Sequence, residues 1–148
     1  MAQLIDASIF IAAERRRISY DLVTARLEDD DSAIAAITVS ELLTGVYQAD
    51  SVERRVRREA FVEQVVQSLP VIPFDLAAAR IYARIGAELK RDGFTIGAHD
   101  LQIAATALAR GYSVVTYDLR DFSRIPGLGV RGLATPPRTT DVSANRRR

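Results

Sequence analysis

The chain has 148 residues, 48% hydrophobic and 26% charged, with a net charge of +1, which fits one globular domain with a sizeable core. It has no cysteine and a single histidine, His99. Disulfides, thiolate metal sites and mechanisms that need two imidazoles are therefore excluded, and a reducing cytoplasm is the expected location. No apolar run approaches the roughly 18 residues of a membrane span, and the basic-then-apolar pattern of a secretory signal is missing from the start.

The opening stretch Leu4-Ile5-Asp6-Ala7-Ser8-Ile9-Phe10-Ile11 reads as a short buried strand, Gln3–Asp6, passing directly into a helix, Ala7–Arg16. A carboxylate at the end of a buried strand is costly without a partner, and open α/β sheets bind ligands just outside the carboxyl ends of their strands. A second helix is expected over Tyr20–Glu28, followed by the acidic run Glu28–Asp31, which reads as a solvated loop. Ala33–Ile37 is strand-like. Thr38-Val39-Ser40-Glu41 matches the S/T-x-x-E capping box, so Thr38 is expected to cap the next helix.

Ser51 caps a longer helix, Val52–Ser68, with Val52, Val56, Val62, Val65 and Val66 at helical spacing. Arg54, Arg55, Arg57 and Arg58 crowd its first half. They and Arg15–Arg17 read mainly as solvated faces, with phosphate or partner contact as the alternative. Pro70–Pro73 holds a short strand, and Phe74-Asp75 caps a helix over Leu76–Arg91 that ends at Asp92-Gly93. Thr95–Ala98 reads as a loop before an Ala-rich helix, Asp100–Arg110, stopped by Gly111. Tyr112–Thr116 is a β-branched strand, Asp118–Phe122 a turn or short helix, and Leu128–Arg131 a last strand. Residues 133–148 carry four Arg against one Asp and are expected to form a basic, disordered tail beyond a domain over residues 1–132.

Strands and helices alternate without a hairpin signal, which argues for a parallel sheet with helices on both faces. In such a sheet the strand ends share one edge. Asp6, Glu41, Asp100 and Asp118, with Asp121 one turn later, come from four segments that reach that edge. Taken singly, each has a plainer reading: Asp6, Glu41 and Asp100 as helix caps or first-turn acids, Asp118 and Asp121 as turn residues. Taken together, gathered carboxylates repel unless a cation neutralises them, and Mg²⁺ prefers oxygen ligands.

Leu4-Ile5-Asp6-Ala7-Ser8, Thr38-Val39-Ser40-Glu41-Leu42-Leu43-x-Gly45-Val46, Ile96-Gly97-Ala98-His99-Asp100-Leu101-Gln102-Ile103-Ala104-Ala105-Thr106-Ala107 and Val115-Thr116-Tyr117-Asp118-Leu119-Arg120-Asp121-Phe122 resemble the successive motifs of the PIN domain. The nearest group is the VapC-type toxins of bacterial toxin–antitoxin pairs, and the resemblance covers about residues 3–131. It implies a three-layer α/β/α domain with a mostly parallel sheet of four to five strands. It also implies an endoribonuclease dependent on Mg²⁺, with Mn²⁺ as a substitute, leaving 5′-phosphate and 3′-hydroxyl ends. By motif, Asp6 and Asp100 would be the central metal ligands, Glu41 the third acid and Asp118 the fourth. Asp121 would be its neighbour or substitute, and Ser8 the hydroxyl that supports Asp6. The sequence departs from the family at Ala7, where many relatives have Thr, at His99, where Asn or Asp is common, and at Tyr117.

The implied partners are RNA, single-stranded or looped so that its bases can be read, and a VapB-like antitoxin. A homodimer or a toxin–antitoxin hetero-oligomer follows from the same resemblance. Two other classes are weaker. An Asp-x-Asp phosphatase would need an acid where Ser8 stands, and a receiver domain would need a Lys at a late strand end, whereas Lys90 lies inside a predicted helix. A non-catalytic PIN-like binding module is the remaining alternative.

Overall fold

The computed structural model describes residues 2–15, 21, 23–25 and 31–133. The first strand, β1 (Gln3–Ile5), runs into helix α1 (Ala7–Glu14), with Asp6 as the single residue between them. Residues 21 and 23–25 are helical, inside the expected second helix. Residues 20, 22 and 26–28 of that helix, Arg16 and Arg17, most of the acidic run and the tail from 134 lie outside the described residues. Then follow β2 (Ser32–Ala35), α2 (Ala36–Tyr47), α3 (Val52–Ser68), β3 (Val71–Ile72), α4 (Leu76–Arg91), α5 (Ala98–Arg110), β4 (Ser113–Val115), α6 (Leu119–Phe122) and β5 (Val130–Arg131).

The five strands form one sheet in the order β3-β2-β1-β4-β5, and every pairing is parallel. From β1 the chain builds outward one way through β2 and β3, then returns to add β4 and β5 on the other side. The strand order therefore reverses between β1 and β4, and a crevice opens beyond their carboxyl ends. Asp6 stands directly after β1, and Thr116 directly after β4.

Side-chain alternation along each strand divides the interior in two. Leu4, Ala33, Ala35 and Val114 face one core with Ile85 and Leu89 of α4 and Leu101, Ile103, Ala104 and Ala107 of α5. Ile5, Ile34 and Val115 face the other with Ile9 and Phe10 of α1, Leu42 and Val46 of α2, and Val62 and Val65 of α3. The result is the expected three-layer α/β/α arrangement. Small side chains let α5 lie close to the sheet: Ala104, Ala105 and Ala107 are wholly buried. Gly111 stops α5 in the left-handed region at φ 68°, where glycine carries no Cβ penalty. No helix among the described residues is long and apolar enough to cross a membrane.

Two sequence readings are corrected. Helix α2 starts at Ala36, with Ala35 as its N-cap and no side-chain cap. Thr38 is its third residue, fully buried, and Glu41 lies in its second turn. The capping-box pattern is present, but β2 passes into the helix without a loop. Thr38 is thereby inside the helix, where its hydroxyl is not positioned to cap. Similarly, α5 begins at Ala98, so Asp100 is its third residue and not its opening one. The caps assigned to Ser51 and Asp75 are observed: each side chain accepts from a backbone N–H three residues on, at 3.2 and 3.0 Å.

Candidate metal centre

Asp6 is both helix cap and sheet-edge acid. It is 5% exposed, and its backbone N–H donates to Val115 O at 2.9 Å, extending the β1–β4 ladder to the site itself. Its Oδ2 accepts from Ser8 Oγ at 2.7 Å, from Thr116 Oγ1 at 2.9 Å and, more distantly, from the Ser8 N–H at 3.4 Å. All three bonds fall on one oxygen, so among the described residues Oδ1 is left for another partner. Ser8 Oγ in turn accepts from the Tyr117 N–H at 3.1 Å, and Thr116 Oγ1 from the Asp118 N–H at 2.9 Å. Two hydroxyls thus fix the first acid and tie it to the backbone leading to Asp118.

Asp100, Asp118 and Asp121 can each bring a carboxylate oxygen within 4.8 Å of the others. Asp100 reaches this cluster from the first turn of α5, Asp118 from the residue before α6 and Asp121 from α6 itself. Asp6 and Glu41 lie outside this trio but are felt by it. The Asp100 carboxyl is pushed up to about 6, first by loss of solvent and then by the charge of Asp6, with Asp118 and Asp121 adding to it and His99 opposing. Glu41 is raised as well, by burial first, then by Asp6, with a smaller push from Asp100.

His99 Nδ1 stands 3.3 Å from Glu41 Oε1, with the imidazole 58% exposed. That oxygen is buried and lacks a properly directed hydrogen bond. Both residues line an open cavity of ≈ 610 Å³ with Thr44, Gly97, Ala98 and Asp100. The donors suit a hard divalent cation. They are all carboxylate oxygens, burial and the charge of its neighbours disfavour the ionised form of Asp100, and the buried Glu41 Oε1 is unsatisfied.

Of the acids expected from the sequence, the trio is brought within ligand distance of one another, with Asp6 and Glu41 electrostatically coupled to Asp100. Asp121 joins Asp118 and does not replace it. Ser8 supports Asp6 as expected. Thr116 was not among the candidates. Its only sequence signal is a hydroxyl two residues before Asp118, which can accept that residue's backbone N–H. The arginines of α3 are largely engaged within the chain: Arg54 with Asp50, Arg55 over the Tyr47 ring, and Arg58 with Glu14 and the Gly45 carbonyl.

A parallel sheet with acids gathered at its switch point defines the class. The PIN domain family matches residues 4–128, and the chain belongs to that family, in its VapC ribonuclease group. It is 40% identical over 131 residues to ribonuclease VapC1 of Rickettsia felis, covering 88% of this chain and 95% of the relative. It is 38% identical to the tRNA(fMet)-specific endonuclease VapC of Salmonella typhimurium, covering 79% and 83%. The DNA-bound VapBC of Salmonella typhimurium superposes with a TM-score of 0.80 at 30% identity, covering 89% of this chain and 98% of the other.

Proposed function

We propose that this chain is the toxin of a toxin–antitoxin pair, an endoribonuclease that hydrolyses RNA phosphodiester bonds with a bound Mg²⁺, for which Mn²⁺ can substitute. The carrying observation is the trio Asp100, Asp118 and Asp121 within 4.8 Å, beside an Asp6 held with one oxygen open. Relatives named as ribonucleases, and a solved relative named as VapBC, support the same reading. Its cognate antitoxin would be VapB-like, in a toxin–antitoxin assembly, and the cytoplasm would be the shared compartment of toxin, antitoxin and RNA.

Asp6 and Asp100 would hold the cation, with Asp118 and Asp121 closing the far side. When bound, the cation supplies an activated water and stabilises negative charge on the phosphoryl oxygens. The chain's own residues orient and neutralise. Ser8 and Thr116 aim Asp6, and the first turn of α5 presents Asp100. Glu41, outside the trio and beside His99, is placed to accept a hydrogen bond from a water at the site. The cavity lined by Glu41, His99 and Asp100 gives the RNA strand access.

The test is to map RNA ends after incubating the purified protein with total RNA and with tRNA, since one relative's name specifies tRNA(fMet). The expected result is new 5′-phosphate ends with Mg²⁺ or Mn²⁺, none with a chelator and none with Asp100→Asn. Cleavage that survives both chelator and Asp100→Asn would overturn the reading.

A further inference from the structure

We propose that Phe94 and Arg124 form a stacking platform for one nucleobase of the RNA substrate, beside the scissile phosphate on the Asp121 side of the site. This rests on the ribonuclease reading above. The two residues flank the acid trio in the sequence, Phe94 in the loop before α5 and Arg124 in the turn after α6. The Arg124 guanidinium carbon lies 4.7 Å from the centre of the Phe94 ring. The same guanidinium reaches the trio, with Nη1 4.0 Å from Asp121 Oδ1.

Phe94 does not arrive there by looseness of the loop. Its N–H donates to Leu89 O at 2.9 Å and the Gly93 N–H donates to Lys90 O at 3.2 Å, with Gly93 at φ 79°. That bond pair closes α4 and fixes the backbone of the next residue. A hydrophobic side chain at this position commonly folds back on its own helix, yet Phe94 stays 40% exposed. Arg124 also stays 30% exposed, and 4.0 Å is too long for a hydrogen bond to Asp121. Neither side chain is committed to the core or to a tight ion pair.

What the pair offers is an aromatic ring and a guanidinium plane, stacked and open to solvent, next to the acids. Unpaired RNA bases stack on both kinds of plane. Charge points the same way. A cluster of acids repels phosphates, and Arg124 with the exposed Arg120 of α6 places positive charge at its border. His99 of α5 and Glu41 of α2 line the cavity that includes Asp100. A strand that enters there and reaches Asp121 meets Arg124, and with it Phe94.

The experiment uses the full chain, Mn²⁺ and an oligoribonucleotide whose cut site has been mapped with the wild type. Phe94→Ala and Arg124→Lys should each raise KM about tenfold, the size expected for one stacked base, with kcat within about threefold. Phe94→Trp should restore KM. Arg84→Ala, a remote exposed arginine of α4, controls for general charge. Replacing bases near the cut by abasic sites, one at a time, should reveal one position whose loss mimics Phe94→Ala and adds nothing to it. An unchanged KM in Phe94→Ala, an equal loss in Arg84→Ala, or a fall in kcat alone would overturn the platform. If Phe94→Ala does not fold, the abasic series on the wild type decides, and no position-specific loss overturns the proposal. A wild type that cleaves no RNA removes the ribonuclease reading itself, whereas a cleaving wild type matched by Phe94→Ala removes the platform alone.

Discussion

The two sides of the acid site are built on opposite principles. Asp6 is buried, and one of its oxygens is held by three donors from Ser8 and Thr116. Asp100, Asp118 and Asp121 sit more openly and face mainly one another. Hydrogen bonds to a charged carboxylate favour its charged form, whereas neighbouring carboxylates disfavour it. The first side is thus fixed by the chain's own hydroxyls, whereas on the second Asp100 is burdened by burial and by its neighbours' charge. If the site takes a cation as proposed, the anchor would be shaped without it and the other side would gain from it.

The hardest blow to this contrast is to remove one acid from each side. Asp6→Asn and Asp100→Asn should each reduce RNA cleavage at least a hundredfold, because the proposed cation would supply several kcal/mol of transition-state stabilisation; residual cleavage near wild type in either would refute their roles. Next, Thr116→Val should lower Mn²⁺ affinity about ten- to a hundredfold, the usual cost of losing a group that orients a ligand. Calorimetric titration would detect this, and unchanged affinity would show that Ser8 alone suffices.

The metal-free stabilities of the two Asn variants should then move in opposite directions. Asp6→Asn should lose about 1–2 kcal/mol through weakened charge-assisted bonds, whereas Asp100→Asn should melt higher than wild type because the cost of burying its charge, and then the repulsion from Asp6 and its other neighbours, is removed. Denaturant titrations that move both the same way would erase the distinction.

The fourth effect is on pH. The folded Asp100 carboxyl is raised from 3.8 to about 6, so the folded state holds its proton more tightly than the unfolded state. Its contribution to metal-free stability is favourable at low pH and declines as pH rises through that window. Cation binding should run the other way, weakening as pH falls below about 6 and Asp100 takes up a proton. Melting curves with and without Mn²⁺ should therefore draw together on acidification. Smallest of all, deleting residues 135–148 should leave the melting temperature nearly unchanged, and a large drop would show that the tail is part of the domain.

How far these features were legible in the sequence depended on the range of the interaction. The Ala-rich α5 and its Gly111 stop are local patterns, and the alternating strands of a parallel sheet are nearly so. The acids were legible because each sits beside a strand or helix end and topology alone gathers such ends. The capping box at Thr38 misled because the pattern specifies chemistry and not position. Packing against the sheet starts α2 three residues earlier, with Ala35 in place of Thr38 as the cap, which buries Thr38 and puts Glu41 in the second turn. Asp6 does cap α1, its Oδ2 accepting from Ser8, and this does not compete with the proposed ligand role, because among the described residues Oδ1 is left for another partner. Thr116 and the Phe94–Arg124 pair were hidden for a different reason. Each depends on a partner far along the chain, and neither a threonine in a strand end nor a phenylalanine in a loop advertises what it will meet.

The central place of β1 has a consequence for how activity is lost. The sheet's outer strands, β3 and β5, are two residues long, whereas β1 is paired on both sides and carries Asp6 on its last ladder bond. Fraying at the margins therefore leaves Asp6 in place, and its link to β4 is lost only when the middle of the sheet opens. In native-state hydrogen exchange the amides of Asp6 and Ser113, which donate between β1 and β4, should be among the slowest, whereas those of Val114 and Thr116, which donate to the β5 margin, should exchange sooner. Loss of the Asp6 arrangement should then coincide with global unfolding, and exchange that exposes the Asp6 amide below the global transition would refute this.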